Sequence, residues 1–464
     1  MSVVPDAGRR FDPHVPVLIV GAGACGLVAA LAARDAGAEV LVVERDVTPA
    51  GSTALSSGFI PAAQTRFQRA RGVADSPAQL AADIQQKNHA EADPRLVEAV
   101  CRASGPAIEW LADRHGIEFV LLEGFLYPGH SALRMHAVPG KTGAALMAAL
   151  QRACAAAGVD FLTSGRVTTL YADAARRVRG VELARPDRTV EAVGCDGLVL
   201  ACSGFGGNPE MVSQHIPEIA SALYFGHAGN QGDAVRWGTA LGAAVKDLTA
   251  YQGHGSVATP HGILITWALL MEGGIQVNAE GGRFSNEHAG YSEQCLPVLE
   301  QPGGVAWTVY DARLHGLGLE FEDYRQSHSL GALKRGETSA ALATACGLPA
   351  AGLEATLAEV ERCVTGATRD RLGRDFTTKP KLAAPYYGVK VTGALFHTQG
   401  GLVVDERGWV LDSRGVRLPN LFAGGGAARG LSGAHVWGYL SGNGLLSAVV
   451  LGRLAGQSAA TLAR

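Results

Sequence analysis

Residues 16–26 read PVLIVGAGACG, and this stretch decides the fold. The apolar run PVLIV is rich in β-branched side chains and predicts a short strand that is buried on both faces. The glycine pattern GAGACG at 21–26 matches G-x-G-x-x-G and opens an alanine-rich segment that predicts a helix to about Ala36. EVLVV at 39–43 predicts the next strand, which ends at Glu44. Strand, glycine turn, helix and strand together predict a βαβ unit that binds a dinucleotide.

The three glycines of this turn have separate tasks in a dinucleotide site. Gly21 allows the tight turn, Gly23 lets the backbone approach a pyrophosphate, and Gly26 lets helix and strand pack closely. The start of the helix adds partial positive charge at the phosphates. Glu44 lies 23 residues after Gly21, where a carboxylate can accept from a ribose hydroxyl. The segment AGSTALSSGFI at 50–60 offers small side chains and backbone amides, which favours FAD over NAD.

The composition of the 464 residues excludes several classes of protein. Lys and Arg number 40 and Asp and Glu number 43, so the net charge of −3 offers no basic surplus for nucleic acid. Gly is abundant at 61, yet Gly and Pro together stay below the share typical of disordered chains. The apolar run from Val15 to Ala33 holds glycines at its centre, so a strand–turn–helix explains it better than a membrane span. We therefore expect a folded protein without nucleic acid partners and without a membrane span.

Cysteine and histidine usage bears on the compartment and on metals. The eight cysteines form no C-x-x-C pair and are interpreted as buried thiols in a reducing cytoplasm. The first fifteen residues hold no apolar segment of the kind that signal peptides carry. His254 and His261 flank SVATP, and two histidines alone do not make a metal site. The sequence therefore predicts a cytoplasmic location and no metal.

The chain changes character near its middle. Helical and strand patterns alternate up to about residue 245. The stretch 246–372 carries scattered histidines and aromatic residues, and the glycine clusters return after it. We expect one nucleotide-binding domain built from residues 1–245 and 373–464, with a second domain at 246–372 inserted between its two parts.

Several features follow one another along the chain in a characteristic order. They are Glu44, AGST…SSG (50–58), SGFGG (203–207), GNQGDAVRWGTALGA (229–243), GRFSNE (282–287), HTQGGL (397–402), LFAGGGAARG (421–430) and GYLSGNGL (438–445). This order resembles the fumarate reductase/succinate dehydrogenase flavoprotein superfamily, which includes the 3-ketosteroid Δ1-dehydrogenases. The resemblance covers nearly the whole chain. It implies an α/β fold class, with a Rossmann-like FAD-binding domain and an inserted α+β capping domain that closes over the isoalloxazine.

The resemblance also implies the cofactor and its contacts. In succinate dehydrogenases a histidine near the first glycine segment attaches FAD covalently, whereas no histidine lies between His14 and His89 here. We therefore expect FAD to bind non-covalently. The residues that the resemblance places at the cofactor are Gly21, Gly23, Ala24, Cys25, Gly26, Glu44, Arg45, Gly51, Ser52, Thr53, Ser57, Gly58, Val167, Ser203, Gly204, Asn230, Asp233, Gly401, Gly425, Gly444 and Leu445.

The inserted domain departs from the fumarate reductases at the residue that donates their proton. Those enzymes carry an arginine four residues after the Asn–Glu pair of a GRF-x-NE segment. Here that segment ends at Glu287, and the fourth residue after it is Tyr291. Trp267 and Leu270 stand where those reductases place the Glu and Arg of a proton relay. The sequence therefore argues against fumarate reduction by that mechanism.

A tyrosine at this place resembles the 3-ketosteroid Δ1-dehydrogenases, where it is the base. Removing two hydrogens beside a ketone needs a base for the α-proton, a hydride acceptor and donors for the enolate-like oxygen. An unperturbed phenol has a pKa of about 10, so Tyr291 needs help from its surroundings, and His288 is the neighbouring candidate. The alternative is a tyrosine that only packs at the seam between domains.

The last glycine segments supply the other predicted catalytic groups. The ketosteroid enzymes bind the carbonyl with a tyrosine hydroxyl and the backbone amide four residues on, which corresponds to Tyr439 and Asn443. Which amide points at the oxygen stays open, because Gly442 and Asn443 could instead approach the flavin, as the matching pair does in fumarate reductases. His397 either binds a substrate carboxylate, as in fumarate reductases, or hydrogen-bonds on the flavin side.

We predict an FAD-dependent oxidoreductase that acts on CH–CH groups and desaturates a ketone next to its carbonyl. Because the inserted domain is short, a small cyclic ketone such as an oxocyclohexanecarboxylate is at least as plausible a substrate as a 3-ketosteroid. The predicted site comprises the catalytic residues Tyr291, Tyr439 and His397 and the substrate-binding residues Gly442, Asn443 and His288.

Two alternatives stay open. A dehydrogenase or reductase of small polycarboxylates, of the tricarballylate or fumarate type, needs arginines in its cleft, for which Arg313, Arg325 and Arg429 are candidates. A non-catalytic flavin-binding redox protein would hold FAD without turnover. The electron acceptor is equally open between a quinone, a dye-like carrier and oxygen.

Overall fold

The computed structural model describes residues 2–463, which hold 21 strands and 15 α-helices. The strands are β1 Ser2–Pro5, β2 His14–Val20, β3 Val40–Val43, β4 Ile60–Pro61, β5 Val120–Leu121, β6 Met135–Ala137, β7 Asp160–Leu162, β8 Arg166–Ala172, β9 Val178–Ala184, β10 Val190–Leu200, β11 Leu223–Tyr224, β12 Val245–Lys246, β13 Tyr251–Ala258, β14 Ile263–Leu264, β15 Ile275–Val277, β16 Val305–Asp311, β17 Leu333–Gly336, β18 Tyr386–Thr398, β19 Gly401–Leu402, β20 Trp409–Leu411 and β21 Arg417–Ala423. The helices are α1 Ala24–Asp35, α2 Gly51–Ala54, α3 Arg66–Arg69, α4 Pro77–Lys87, α5 Pro94–His115, α6 Gly143–Ala156, α7 Pro209–His215, α8 Asp233–Ala240, α9 Ala268–Met271, α10 Cys295–Leu299, α11 Ala312–Gly318, α12 Glu322–Ser329, α13 Ser339–Cys346, α14 Ala350–Val364 and α15 Asn443–Ala460. Among these helices none is long and apolar enough to cross a membrane.

The first βαβ unit forms as the sequence predicts. β2 buries Val17, Leu18 and Ile19 completely, as expected for a strand covered on both faces. β3 lies parallel to β2, with Val40 opposite Val17. α1 buries all of residues 24–33, and its many alanines let it lie close to the sheet. This unit is the centre of the larger hydrophobic core.

The first sheet places the cofactor edge. Its nine strands include a parallel part in which β10 lies between β2 and β21, and β3 and β7 follow on the far side of β2. The carboxyl ends of these parallel strands meet at one edge of the sheet, close to Val20, Val43, Leu200 and Ala423. Open parallel sheets bind their ligands outside this edge. The glycine turn at Gly21 lies there.

A second sheet of seven strands has its own hydrophobic core and is mostly antiparallel. β18 is its central strand and pairs with β11, β13, β16 and β17. Its members therefore extend from Leu223 to Thr398 along the chain, beyond both predicted limits of the inserted domain. The boundaries at 246 and 372 stay a prediction.

Two strands of the second sheet lead into the space between the sheets. β13 and β18 are antiparallel, and Gln252 faces His397 while His254 faces Ala394. The register shifts between Gln252 and Gly253, as at a β-bulge. Bulges re-aim side chains beside functional sites. In this way both His254 and His397 come to line one cleft.

Candidate active site

One long cleft holds nearly all of the predicted site residues. It encloses about 1900 Å³ of space, its open mouth included, and residues from both sheets line it. One end is rich in glycine and small polar side chains, and the other is rich in aromatic rings. We call these the dinucleotide end and the aromatic end.

The glycine turn shows which of its glycines faces a ligand. A Cβ at Gly21 would lie 2.6 Å from the carbonyl oxygen of Ala201, and one at Gly26 would lie 1.9 Å from the carbonyl oxygen of Gly21. A Cβ at Gly23 would meet only the Thr53 hydroxyl, at 3.7 Å. Gly23 is also the N-cap of α1 and supplies no side-chain acceptor. The open space at Gly23 and the start of α1 together suit a phosphate.

The carboxylate of Glu44 is held at the predicted ribose position. It is buried and accepts hydrogen bonds from the backbone N–H groups of Ala22 at 2.8 Å and Asp46 at 3.0 Å. A carboxylate has about four lone-pair sites, so two remain for hydroxyl donors in the cleft. Arg45 points across the cleft and donates to the carbonyl of Gly229 at 2.7 Å.

Two buried polar atoms at the dinucleotide end lack a protein partner. They are Oδ1 of Asp233 and Nε1 of Trp237, and both residues line the cleft. Burial raises the pKa of the Asp233 carboxyl, against the opposing effect of Arg166 and Arg45. Buried polar groups are almost always paired in a complete structure, so these atoms fit hydroxyl or ring-nitrogen partners of a bound cofactor. The donor and acceptor set at this end suits FAD.

Most of the predicted cofactor residues line this cleft, and three do not. Those that line it are Gly21, Gly23, Ala24, Cys25, Glu44, Arg45, Gly51, Ser52, Thr53, Ser57, Gly58, Val167, Ser203, Asn230, Asp233, Gly425, Gly444 and Leu445. Gly26, Gly204 and Gly401 are not among the lining residues, and a Cβ at each would collide with protein atoms at 1.9, 2.0 and 2.7 Å. Their glycines serve close packing. Direct contact of each lining residue with FAD stays a prediction.

The aromatic end gathers three tyrosines. The ring centroid of Tyr291 lies 6.1 Å from that of Tyr439 and 6.2 Å from that of Tyr127. The hydroxyls of Tyr439 and Ser441 are neighbours that influence the pKa of the Tyr291 phenol. Trp267, which stands where a reductase would carry its relay glutamate, packs edge-on against Tyr291 at 6.1 Å. Tyr291 and Tyr439, distant in sequence, therefore lie in one cluster, and their catalytic roles stay predictions.

Both predicted catalytic phenols are neutral in this environment. Burial raises the pKa of Tyr291 well above its ordinary value, and the neighbouring Tyr439 adds to this effect. Burial raises the pKa of Tyr439 to about 12, although hydrogen bonds from the Gly444 and Gly442 backbone oppose the rise. The N–H of Gly444 lies 3.4 Å from the Tyr439 oxygen. The Tyr439 hydroxyl is therefore oriented by backbone donors and keeps its own proton to donate.

The two cleft histidines are neutral, and their neighbours define the tautomer. Burial lowers the pKa of His254 to about 3 and that of His397 to about 4. The Ser256 N–H donates to Nδ1 of His254 at 3.1 Å, and the Gln399 amide donates to Nδ1 of His397 at 2.8 Å. Because Nδ1 accepts in each ring, the ring proton lies on Nε2. Each imidazole thus offers an N–H donor.

Two predicted substrate-binding side chains lie outside the cleft lining. His288 directs Nε2 to the carbonyl of Leu270 at 3.2 Å, and burial lowers its pKa to about 4. Asn443 is fully buried, and neither polar atom of its side chain has a partner. Gly442 does line the cleft. The substrate-binding roles of His288, Asn443 and Gly442 stay predictions.

Sequence reasoning missed several residues of the aromatic end. Tyr127, His254, Ser441 and Trp267 all line it, yet none was assigned a binding or catalytic role. The loop GFLYPGH at 124–130 carries a tyrosine between glycines and a proline, which was an available sign of a functional loop. The others offered no local signal, because their importance comes from meeting Tyr291.

A buried histidine outside the cleft supports the Ser441 segment. Nε2 of His130 contacts the carbonyl oxygen of Ser441 at 2.9 Å, and Arg134 approaches His130 Nδ1 at 3.4 Å. Arg134 is in turn paired with Asp75 and Asp83, and all of these ionic side chains are buried. This network fixes the backbone between Tyr439 and α15.

The three arginines that a polycarboxylate site would need lie elsewhere. Arg313 donates to the carbonyl of Glu272 at 2.8 Å, and Arg325 donates to that of Leu319 at 2.6 Å. Arg429 is paired with Asp247. None of the three lines the cleft within residues 2–463. Their guanidinium groups are therefore committed to structural contacts.

Comparison with known proteins agrees with this geometry. Residues 16–445 match the family model described as "FAD binding domain". The chain belongs to this family. The flavoprotein binds FAD and is an oxidoreductase, which confirms the predicted cofactor and enzyme class. Non-covalent attachment of the FAD stays a prediction.

Relatives and solved structures support the same assignment of the flavoprotein. A probable fumarate reductase of Shewanella frigidimarina is 29% identical over 447 residues, covering 96% of this chain and 74% of that protein. The open conformation of a flavocytochrome c3 fumarate reductase has a TM-score of 0.81 at 29% identity, covering 98% of this chain and 79% of the other. The 3-ketosteroid Δ4-(5α)-dehydrogenase of Rhodococcus jostii RHA1, in complex with 4-androstene-3,17-dione, has a TM-score of 0.78 at 26% identity and covers 99% of both chains. These likenesses confirm the predicted superfamily and the α/β fold class with its capping domain.

Proposed function

We propose that this flavoprotein removes two hydrogens from adjacent carbons of an uncharged cyclic ketone, forming a double bond next to the carbonyl. The observation that carries the proposal is the lining of the aromatic end. It consists of aromatic, apolar and neutral polar side chains, and within residues 2–463 no arginine or lysine contributes to it. The arginines of the cleft, Arg45 and Arg166, lie at the dinucleotide end, close enough to Asp233 to lower its pKa.

The missing cations argue against small polycarboxylates. A carboxylate that leaves water for a largely apolar cleft needs a charged or hydrogen-bonded partner, and arginine is the usual bidentate one. His254 and His397 stay neutral because burial lowers the pKa of each. Arg313, Arg325 and Arg429 are engaged elsewhere. For the same reason an uncharged ketone suits the cleft better than an oxocyclohexanecarboxylate.

The side chains supply the groups that α,β-dehydrogenation needs. Tyr291 is assigned as the base that takes the α-proton, and the Ser441 hydroxyl is the neighbour that lowers its pKa. Tyr439 is assigned as the donor to the ketone oxygen, because the Gly444 N–H occupies its oxygen from behind. FAD, when bound, supplies the hydride acceptor. His397, with its proton on Nε2, is assigned to donate at the flavin side of the cleft.

Tyr291 needs help from neighbouring groups to act as a base, because its burial disfavours the phenolate form. The Ser441 hydroxyl lowers the pKa of Tyr291, whereas the neighbouring Tyr439 raises it. Because Tyr291 is a neutral phenol, it can take the α-proton only if its own proton leaves at the same time, along the neighbouring hydroxyl groups to water at the open mouth of the cleft. Such a chain lowers the barrier to deprotonation without a permanent charge in an apolar site.

The names of the similar proteins bear on the substrate. One solved relative is a 3-ketosteroid dehydrogenase in complex with a steroid ketone, and it matches this chain over its whole length. Others are fumarate reductases. The tyrosine cluster and the absence of cleft arginines at the aromatic end favour a ketone of the first kind over fumarate.

An anaerobic substrate screen of the purified holoprotein tests the proposal. The probes are 5α-androstane-3,17-dione, cyclohexanone, 4-oxocyclohexanecarboxylate, succinate and tricarballylate. We expect a neutral ketone to bleach the oxidised flavin band at about 450 nm, and mass spectrometry to detect a product lighter by two hydrogens. If succinate or tricarballylate bleaches the flavin and no ketone does, the proposal is replaced by a dehydrogenase or reductase of small polycarboxylates. Bleaching by none of the probes would favour a non-catalytic redox protein.

A further inference from the structure

One lysine, Lys87 of α4, contacts the segment that carries Tyr291 both before and after this tyrosine. Lys87 is the last residue of α4, and its ammonium group donates to the carbonyl of Ala289 at 3.0 Å. The same group is ion-paired with the carboxylate of Glu293. These contacts lie two residues before and two residues after Tyr291. No role in the reaction described above has been assigned to Lys87 or Glu293.

The pair is largely withdrawn from water. The side chain of Lys87 is 14% exposed and that of Glu293 is 19% exposed. Burial raises the pKa of the Glu293 carboxyl, and Lys87 lowers it. Exposed ion pairs contribute little, whereas loss of one partner from a buried pair leaves an uncompensated charge. The contact therefore resists being broken.

The backbone between the two contacts is shaped to bring the carboxylate in. Gly290 has a φ of +146°. A Cβ at this position would lie 2.4 Å from Oε2 of Glu293. A larger residue would therefore push the Glu293 carboxylate away from the segment. The N–H of Gln294 also bonds to the carbonyl of Gly290 at 3.1 Å, which closes a compact turn around Tyr291.

The stem of Lys87 also borders the segments of the other two tyrosines. Its Cδ would lie 3.6 Å from a Cβ at Gly129, two residues after Tyr127. The same Cβ would meet the Leu440 side chain at 2.8 Å, directly after Tyr439. Lys87 thus stands where the three tyrosine-bearing segments come together.

We propose that Lys87 and Glu293 form a positioning pair, which fixes Tyr291 relative to Tyr127 and Tyr439 when the second sheet lies over the FAD-binding layer. The inference rests on the proposed function, because it takes Tyr291 as the base. Neither residue of the pair touches substrate. The pair acts through the backbone of residues 289–293, so its loss displaces the phenol without removing any reacting group.

Three variants and one control test the pair in the holoprotein. Lys87→Met keeps the stem and removes the charge, Glu293→Gln removes the partner charge, and Lys87→Arg restores a cation. Lys381→Met is the matched control. Lys381 also pairs with a glutamate, Glu361, but both of these side chains are more than half exposed. Measurements are FAD content, the rate of flavin reduction by 5α-androstane-3,17-dione, and exchange of the ketone's α-protons into D₂O.

We expect Lys87→Met and Glu293→Gln to keep FAD and to slow flavin reduction and α-proton exchange at saturating ketone by at least tenfold each. The KM should change less than threefold, and Lys87→Arg should recover most of the rate. Unchanged flavin reduction and α-proton exchange in Lys87→Met, with an active parent protein, would overturn the positioning role alone. A slow Lys87→Met that Lys87→Arg does not rescue would also overturn it.

Amide hydrogen exchange separates this inference from the proposed function. In the holoprotein without any ketone, we expect Lys87→Met to accelerate exchange across residues 285–294 at least tenfold, with no change in Lys381→Met. If none of the ketones reduces the flavin of the parent protein, the proposed function fails. The hydrogen-exchange measurement still tests the pair in that case. Unaltered exchange in both variants would overturn the pair whatever the substrate is.

Discussion

The imidazole of His254 stacks on the phenol ring of Tyr291, with 4.8 Å between ring centroids and 22° between ring planes. The imidazole also stacks on Phe396 at 5.0 Å, and Phe396 in turn stacks on Phe225 at 4.7 Å. His254 comes from β13 and Phe396 from β18, so the sheet itself orients the stack. The plane of Tyr291 is thereby fixed by rigid strands, which is the arrangement that precise catalytic geometry requires.

Two variants of His254 separate the contribution of ring stacking from that of the imidazole N–H donor. His254→Phe keeps a flat ring and removes the donor, whereas His254→Ala removes both. We expect flavin reduction by the active ketone to stay within about threefold in His254→Phe and to fall at least tenfold in His254→Ala, because the loss of a transition-state geometry worth about 1.4 kcal/mol changes a rate tenfold. Equal losses in the two variants would assign the effect to Nε2.

Removal of the Tyr291 hydroxyl tests the base. Tyr291→Phe should keep FAD binding and lower flavin reduction by roughly 10²–10⁴-fold, the usual contribution of general acid–base catalysis. Tyr310→Phe is the control, because Tyr310 is also buried, in the second sheet, and its hydroxyl bonds to that of Tyr324 at 2.8 Å. Stopped-flow reduction under anaerobic conditions gives both rates. Full turnover of Tyr291→Phe would remove the residue from the mechanism.

The carboxylate of Glu44 should set FAD affinity. It already accepts from Ala22 and Asp46, so Glu44→Gln leaves one oxygen to serve both backbone donors and the ribose. A hydrogen bond to a charged group contributes about 1.5–3 kcal/mol, and we therefore expect the dissociation constant of FAD to rise roughly 10- to 100-fold. Titration of apoprotein followed by flavin fluorescence measures it. Glu39→Gln, on an exposed residue of the same region, should leave the constant unchanged.

Buried histidines should make the protein sensitive to mild acid. Burial lowers the pKa of His130, His136 and His397 to about 4 and that of His254 to about 3. In the unfolded chain a histidine has a pKa of about 6.5, so below that pH the unfolded state binds more protons and stability is lost as the pH falls toward the folded values. Each such histidine contributes a slope of about 1.4 kcal/mol per pH unit in this window.

His136 lies outside the cleft and isolates this effect. Its Nδ1 contacts the Arg134 carbonyl at 2.9 Å and its Nε2 contacts the Thr65 hydroxyl at 2.8 Å. We expect the melting temperature of the FAD-saturated protein to fall steeply between about pH 6.5 and pH 5, and His136→Gln to flatten that fall. His261→Gln, at an exposed position, should not alter it. A parallel fall in all three proteins would contradict the assignment.

The dinucleotide half of the site was predictable because its parts are close in the chain. Gly21, Gly23 and Glu44 belong to one βαβ unit, and the pattern of apolar runs sets strand, turn and helix at fixed spacings. The three predicted cofactor glycines that are not among the lining residues, such as Gly204, show the limit of this reasoning. A glycine pattern reports close approach of backbone, and it does not say whether the neighbour is a ligand or a protein atom.

The extent of the second sheet was harder to predict. β18 is buried on most of its length and pairs with four other strands. Its sequence, YYGVKVTGALFHT at 386–398, carries two glycines and leads into the Gly400–Gly401 pair, so the sequence alone favoured a return to the nucleotide domain. Strand pairing over such separations depends on partners elsewhere in the chain. A single segment does not reveal them.

The βαβ unit, the FAD-binding class and the presence of Tyr291 where a reductase would carry arginine could all be inferred from the sequence. These features are encoded in spacing and in residue type at short range. Only the folded structure shows which side chains surround that tyrosine: Tyr127, His254, Ser441 and the Lys87–Glu293 pair come from segments spread between residues 87 and 441 of the chain. The physical reason is that packing and pairing of whole strands and helices set these contacts, and they leave no periodic trace in the chain.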